Sequence, residues 1–267
     1  MKPKLTLVIL VSVLFFACKK SNTNTPVGTL LNRIIYIGSS GPDTLDYTYD
    51  ANQRLIGMLF SSSTRGSRIN RNSAGIITTI NMYDRSSSAI LTNDEVNYDV
   101  LTSHYISDVF YYTANPNKRD SSVYTYTNDN VSELSYYTID PADPNLLTYK
   151  ITYKNTYTYD ATGNPIHIAK AYYNTISGNI NYIVDYDYTF DNKINPNPLS
   201  TVEFLVVHGP TEIPNSPNNL LSFNALAPTS DYGTISYNYN SNNMPATAHW
   251  VYNQYGTNSV GDTQYFY

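Results

Sequence analysis

Tyrosines that alternate with small polar residues constrain what this chain can fold into. Tyr47-Thr48-Tyr49, Tyr124-Thr125-Tyr126 and Tyr157-Thr158-Tyr159 share one form, and Tyr237-Asn238-Tyr239 repeats it. A period of two sends both rings to one face of a strand and the Thr or Asn to the other, and such residues favour a pleated, half-buried surface. From Leu30 onward this period, not the 3.6 of a helix, governs the apolar residues.

The triplets are followed by similar turn chemistry. Asp50, Asp160 or Asn240 comes next, then a few of Asn, Gly, Thr, Ser, Gln or Ala, then a second strand; Tyr124 opens a looser copy, and 68–77 a degenerate one without tyrosines. A short Asx side chain hydrogen-bonds the backbone two residues on, and Asn or Gly tolerates positive φ, so each unit is expected to be a hairpin. The fold class is therefore all-β: a long antiparallel meander of roughly fourteen to sixteen strands, twisted or rolled because open sheets of that size rarely stay flat. Tyrosine suits it, with the ring against cross-strand neighbours and the hydroxyl expected to stay wet. An irregular insert rich in Pro and Asn, from Ile194 to Ser230, interrupts the series. Within it, Ser200 to His208 fits a short helix or a strand equally, and Gly209-Pro210 ends it.

The first residues read as an address. Lys2 and Lys4 precede an apolar run from Leu5 to Phe16 that ends at Ala17-Cys18, the pattern of a secretory signal. As a helix that run rises about 18 Å, short of a hydrocarbon core of roughly 30 Å. Cys18 is the only cysteine. Its placement resembles the lipobox of bacterial lipoproteins, with Phe15 where Leu is usual, and the resemblance implies lipid attachment at Cys18. The expected organisation is a signal peptide at 1–17, lipidated Cys18 and a flexible tether at 18–29, and a single β domain at 30–267.

The Tyr-Asp hairpins resemble the YD repeat of Rhs-type proteins. Together with the lipobox and the late Tyr188-to-Pro198 element followed by Ser216-Pro217-Asn218-Asn219, they resemble a family of uncharacterised Bacteroidota lipoproteins. The resemblance implies a fold and a place in the bacterial cell envelope, at the outer membrane, but no reaction.

With 14% charged residues and a net charge of −5, the chain lacks the basic clusters that nucleic acid needs. No metalloprotease, nucleophile-elbow, phosphate-loop or dinucleotide motif occurs, and no cofactor is expected. His104, His167, His208 and His249 fall in separate predicted strands or at their ends. Asp185 and Asp187 share one strand face, where paired acids could do acid/base work but more simply sit in water. Asp140, Asp143 and Asn145 offer oxygen ligands in one loop, without the Gly and Glu of an EF-hand. Trp250 beside His249 could join a Tyr-lined face that stacks on sugars. The expected function is a non-catalytic, membrane-anchored binding or scaffolding module for a glycan or a protein. Its rivals are a hydrolase using dispersed carboxylates such as Asp185 and Asp187, and an accessory subunit that pairs through a free sheet edge.

Overall fold

The alternation yields strands almost everywhere. The computed structural model describes residues 30–38, 41–139, 148–197, 199–208, 216–226, 230–254 and 256–267. The expected leader, Cys18, the tether and the Asp140–Asn145 loop lie outside the described residues. The strands are β1 (Arg33–Gly38), β2 (Gly41–Tyr49), β3 (Leu55–Phe60), β4 (Arg65–Arg71), β5 (Ile77–Asp84), β6 (Ile90–Asp99), β7 (His104–Tyr112) and β8 (Asn115–Thr127). They continue as β9 (Asn130–Ile139), β10 (Tyr149–Tyr159), β11 (Pro165–Tyr173), β12 (Ile180–Ile194), β13 (Asn218–Ala225), β14 (Tyr232–Tyr239), β15 (Pro245–Gln254) and β16 (Thr257–Phe266). Each strand pairs antiparallel with the next, and β1 pairs β16, with Ile34 opposite Tyr265, so the meander closes into a barrel. Closure removes the free edge that an accessory subunit would need for strand addition.

The Asx turns behave as their chemistry requires. Asp50 Oδ1 accepts from the backbone N–H groups of Asn52 and Arg54, Asp160 Oδ1 from Thr162 and Asn164, and Asn240 Oδ1 from Asn242 and Met244. The degenerate copy does the same with Asn72 Oδ1 and the Ile76 N–H. Three residues after the Asx, Gln53, Gly75, Gly163 and Asn243 take positive φ. The Tyr124 copy instead turns on Asn128 and Asp129, both at positive φ, as a two-residue hairpin loop. A further copy, Tyr98-Asp99, is one residue longer, with Asp99 accepting from the Leu101 N–H and Ser103 at positive φ.

An up-and-down meander places alternate connections at opposite ends. All of these hairpins, the start of β1 and the end of β16 therefore lie at one rim, here the Asx rim. There the inward tyrosines tie strands together. Tyr49, Tyr126, Tyr159 and Tyr267 donate their hydroxyls to the carbonyls of Leu31, Tyr105, Val131 and Pro245. The expectation of wet hydroxyls is corrected here: closure turns the tyrosine face inward, and burial pushes the phenols of Tyr49, Tyr126, Tyr159 and Tyr267 well above their ordinary 10.

Between β12 and β13 the insert carries, among the described residues, one helix, α1 (Thr201–His208), so His208 ends a helix rather than a strand. Ser200 and Glu203 make a capping box: the Glu203 N–H donates to Ser200 Oγ and the Ser200 N–H to Glu203 Oε2, each at 3.3 Å. Leu205 and Val206 are fully buried. Arg71 on β4, far round the ring from β12 and β13, meets Glu203 at 2.6 Å, so α1 reaches across the bore and covers the Asx rim. Among the described residues no helix covers the other, open rim. Its inward-facing Phe60 and Tyr182 are 39% and 47% exposed.

Glycine is required where β16 passes under Trp250. A Cβ on Gly261 would fall 2.2 Å from Trp250 Cζ2 and 2.5 Å from the Ile37 carbonyl oxygen. Gly261→Ala should cost about 1–3 kcal/mol by overpacking, read as a lower urea midpoint; an unchanged midpoint would contradict the packing.

Candidate functional site

The register sorts every side chain to the wall's outside or inside. Outside lie polar cross-strand pairs: Arg33 with Asp46 at 2.5 Å, Lys154 with Glu133 at 3.0 Å and His249 with Asp262 at 2.8 Å. Asn81 donates to Asn93, Asn97 to Ser107 and Asn238 to Thr247. Inside lie the buried Leu, Ile, Val and Tyr. Such ion pairs are unlike the outer face of a membrane-spanning barrel, an apolar band about 25 Å tall on which a midplane Lys or Arg costs roughly 2–4 kcal/mol, although Val123, Ile183 and Val260 are also exposed on this wall.

Of the residues singled out from sequence, those on described strands occupy this wall without converging on a cleft. Asp185 and Asp187 share the outer face as expected, and His167 from β11 lies between them, with Nδ1 2.7 Å from Asp187 and Nε2 3.4 Å from Asp185. His249 also points outward, to Asp262. Trp250, its neighbour, points inward and stacks on Tyr252 at 5.0 Å, because adjacent strand residues face opposite ways. The expected His249–Trp250 pairing on one surface is thus undone. His104 stacks on Tyr126 at 4.0 Å and reaches Asp129 at 3.3 Å. Among the described residues, no cluster of three metal-ligating side chains forms.

Two interior features were not foreseen. The first is a row of buried carboxylates on neighbouring strands, Asp94, Asp108 and Asp120. Asp108 accepts from the Tyr124 hydroxyl at 2.5 Å and the Ser122 N–H at 3.2 Å, and Asp120 from the hydroxyls of Tyr112 and Tyr136. Asp94 Oδ1 has no hydrogen-bond partner among the described residues. Burial and the neighbouring Asp108 push the Asp94 carboxyl up to about 8. Burial raises Asp108 to about 6, held lower by its Tyr124 and Ser122 donors. A sequence signal existed: each acid is in phase with inward aromatics on its own strand, as Asp94 is with Tyr98, Asp108 with Phe110 and Asp120 with Tyr124.

The second feature is an aromatic series on β12 to β15. Tyr186, Tyr188, Phe223, Tyr252 and Trp250 follow one another with ring centroids 5.0 to 6.5 Å apart. Tyr186, Tyr188, Phe223 and Tyr252, with Asp231, wall a cavity of about 160 Å³ toward the open rim. A second cavity of about 190 Å³ lies against α1, between Phe204 and Tyr237, with Asn197, Ser216 and Asn219 in its lining. The structure offers walls of rings and carboxamides here, suited to holding a small molecule by stacking and hydrogen bonds.

No family model and no curated protein matches the chain. Among solved structures, a porin-like protein from Bacteroides uniformis aligns at a TM-score of 0.57 and 10% identity, covering 89% of this chain and 96% of that one. A porin-like protein from Bacteroides vulgatus aligns at 0.55 and 11% identity, covering 90% and 98%. At these identities the likeness is one of fold. A chain of a TcdB2–TccC3 complex aligns with 85% of this chain and 15% of its own length at a TM-score of 0.22, too low to lend the YD resemblance any weight.

Proposed function

We propose that the chain is a lipid-tethered, water-soluble barrel of the bacterial cell envelope that binds a glycan or a protein without catalysing a reaction. The polarity of the wall carries this reading: ion pairs and Asn ladders outside, packed aromatics inside and a helix across the bore suit a body bathed in water rather than a pore in lipid. The envelope assignment draws on the leader, on Cys18 and on the fold shared with the two porin-like proteins. The binding role draws on the aromatic cavity at the open rim, and on Asp185 and Asp187 being bonded to His167 on an outer surface rather than facing each other in a cleft.

The tether would leave from the Asx rim, where β1 begins. Its eleven residues after Cys18 reach about 18 Å as a coil, so the open rim faces away from the bilayer. Val100 and Leu101, 75% and 92% exposed, tip the Tyr98-Asp99 hairpin on the bilayer side. In detergent phase partition, protein from membranes should enter the detergent phase and Cys18→Ala should stay aqueous while folded. Equal partition of the two into detergent would sink the reading.

A further inference from the structure

We infer that the barrel holds a neutral sugar of one or two rings between α1 and the open rim, in a chamber that Tyr252 divides in two. This deepens the binding-module reading and rests on it. Tyr252 is the residue common to both interior cavities. Each alone is smaller than usual ligand sites, but together they enclose about 350 Å³, within the roughly 300–1,000 Å³ of small-molecule pockets. The partition is a side chain rather than a strand, and a ring that turns about its χ angles joins the halves without moving backbone.

The chemistry of the lining selects the ligand class. Toward the open rim, Tyr188, Phe223 and Tyr252 line the cavity with aromatic rings, a surface on which the C–H faces of a pyranose pack. Toward α1, the carboxamides of Asn197 and Asn219 and the Ser216 hydroxyl are groups that both donate and accept, as sugar hydroxyls do; the Ser216 hydroxyl already donates to the Asn218 carbonyl and the Asn219 amide to Asp191, so their oxygens are what they offer a sugar. Among the described residues Asp231 is the only carboxylate in either lining, and no lysine or arginine joins it. An acidic sugar would therefore meet repulsion and no counter-charge. A cationic ligand would need the Asp231 carboxylate to itself, and Asp231 already has a partner within the protein. Gly233 shapes the space: a Cβ there would fall 2.3 Å from Phe223 Cε1 and 2.5 Å from Tyr252 Cδ1, so its absence lets the two rings close over the strand.

The chain carries its own reporter. Trp250 is the sole tryptophan and stacks on Tyr252, so a ligand that turns Tyr252 changes its emission. The full chain, purified from membranes in a polyoxyethylene detergent that carries no sugar, is titrated with glucose, galactose, N-acetylglucosamine, maltose and cellobiose, with glucuronate as the charged control. At least one neutral sugar should give a saturable change in Trp250 emission, and glucuronate none. Phe223→Leu, which removes a wall, and Ile235→Phe, which fills the cavity under α1, should each weaken that binding at least tenfold with circular dichroism unchanged. Ile106→Ser, on the exposed part of β7, should leave it unaltered. The inference is overturned if no neutral sugar alters the emission, or if the response survives both cavity variants. Should sugars fail while Cys18 still governs partition, the chamber falls and the tethered barrel stands.

Discussion

Asp94→Asn should stabilise the barrel at pH 8 by roughly 3–5 kcal/mol and change little at pH 4. The Asp94 carboxyl is buried, lacks a donor for Oδ1 among the described residues and faces the field of Asp108, so it is pushed from 3.8 up to about 8. A raised carboxyl means that the folded state keeps a proton that the unfolded chain releases. Stability from this group is therefore fully present below pH 4 and is lost as pH rises toward 8. Asp108, raised to about 6, adds to the loss over the lower part of that window. The carboxamide that replaces the Asp94 carboxyl does not titrate and can donate toward Asp108, so the gap between variant and wild type should widen from pH 4 to pH 8. Urea unfolding at pH 4, 6 and 8 measures it. Parallel stability curves for the two proteins would show that Asp94 is not held protonated.

Glu203→Ala should cost about 3 kcal/mol, near the low end for breaking a buried ion pair. The Arg71 side chain is 7% exposed. After the change it keeps the carbonyls of Leu55 and Gly75 as acceptors but loses its counter-charge, while α1 loses half of its capping box. Glu203→Gln retains the box and the shape without the charge, and should cost less. Arg71→Met combined with Glu203→Leu removes both charges and should recover most of the loss. Urea midpoints decide the matter; a Glu203→Ala midpoint equal to wild type would show that α1 is not fastened across the bore through this pair.

The fold was legible where local chemistry determines it. Period-two tyrosines marked the strands, and Asp50, Asp160 and Asn240 marked the turns, because an Asx side chain bonds the backbone of its own loop. Even the copy at 68–77 was readable without its tyrosines, since Asn72 and Gly75 suffice. Closure was not, because pairing of β1 with β16 joins the two ends of the chain and no local pattern encodes it. That one long-range fact reverses the environment of the phenols. α1 was ambiguous by periodicity, yet Ser200-Thr201-Val202-Glu203 spells a capping box that would have decided it.

The site was less legible. Asp185 and Asp187 were correctly placed on one face, but which face met water depended on closure. His167 came between them through the pairing of β11 with β12. Trp250 and His249 were separated by the same alternation that identified the strands. The interior cavities depend on Gly233 and Tyr252 facing each other across β14 and β15, a register that no single segment contains.

The proposed barrel is wet outside and packed with rings inside. Sedimentation of residues 30–267 in detergent-free buffer tests it most directly. A single sharp boundary is expected, unchanged when detergent is added. Aggregation without detergent, relieved by micelles, would mean that the outer wall meets lipid and would contradict it.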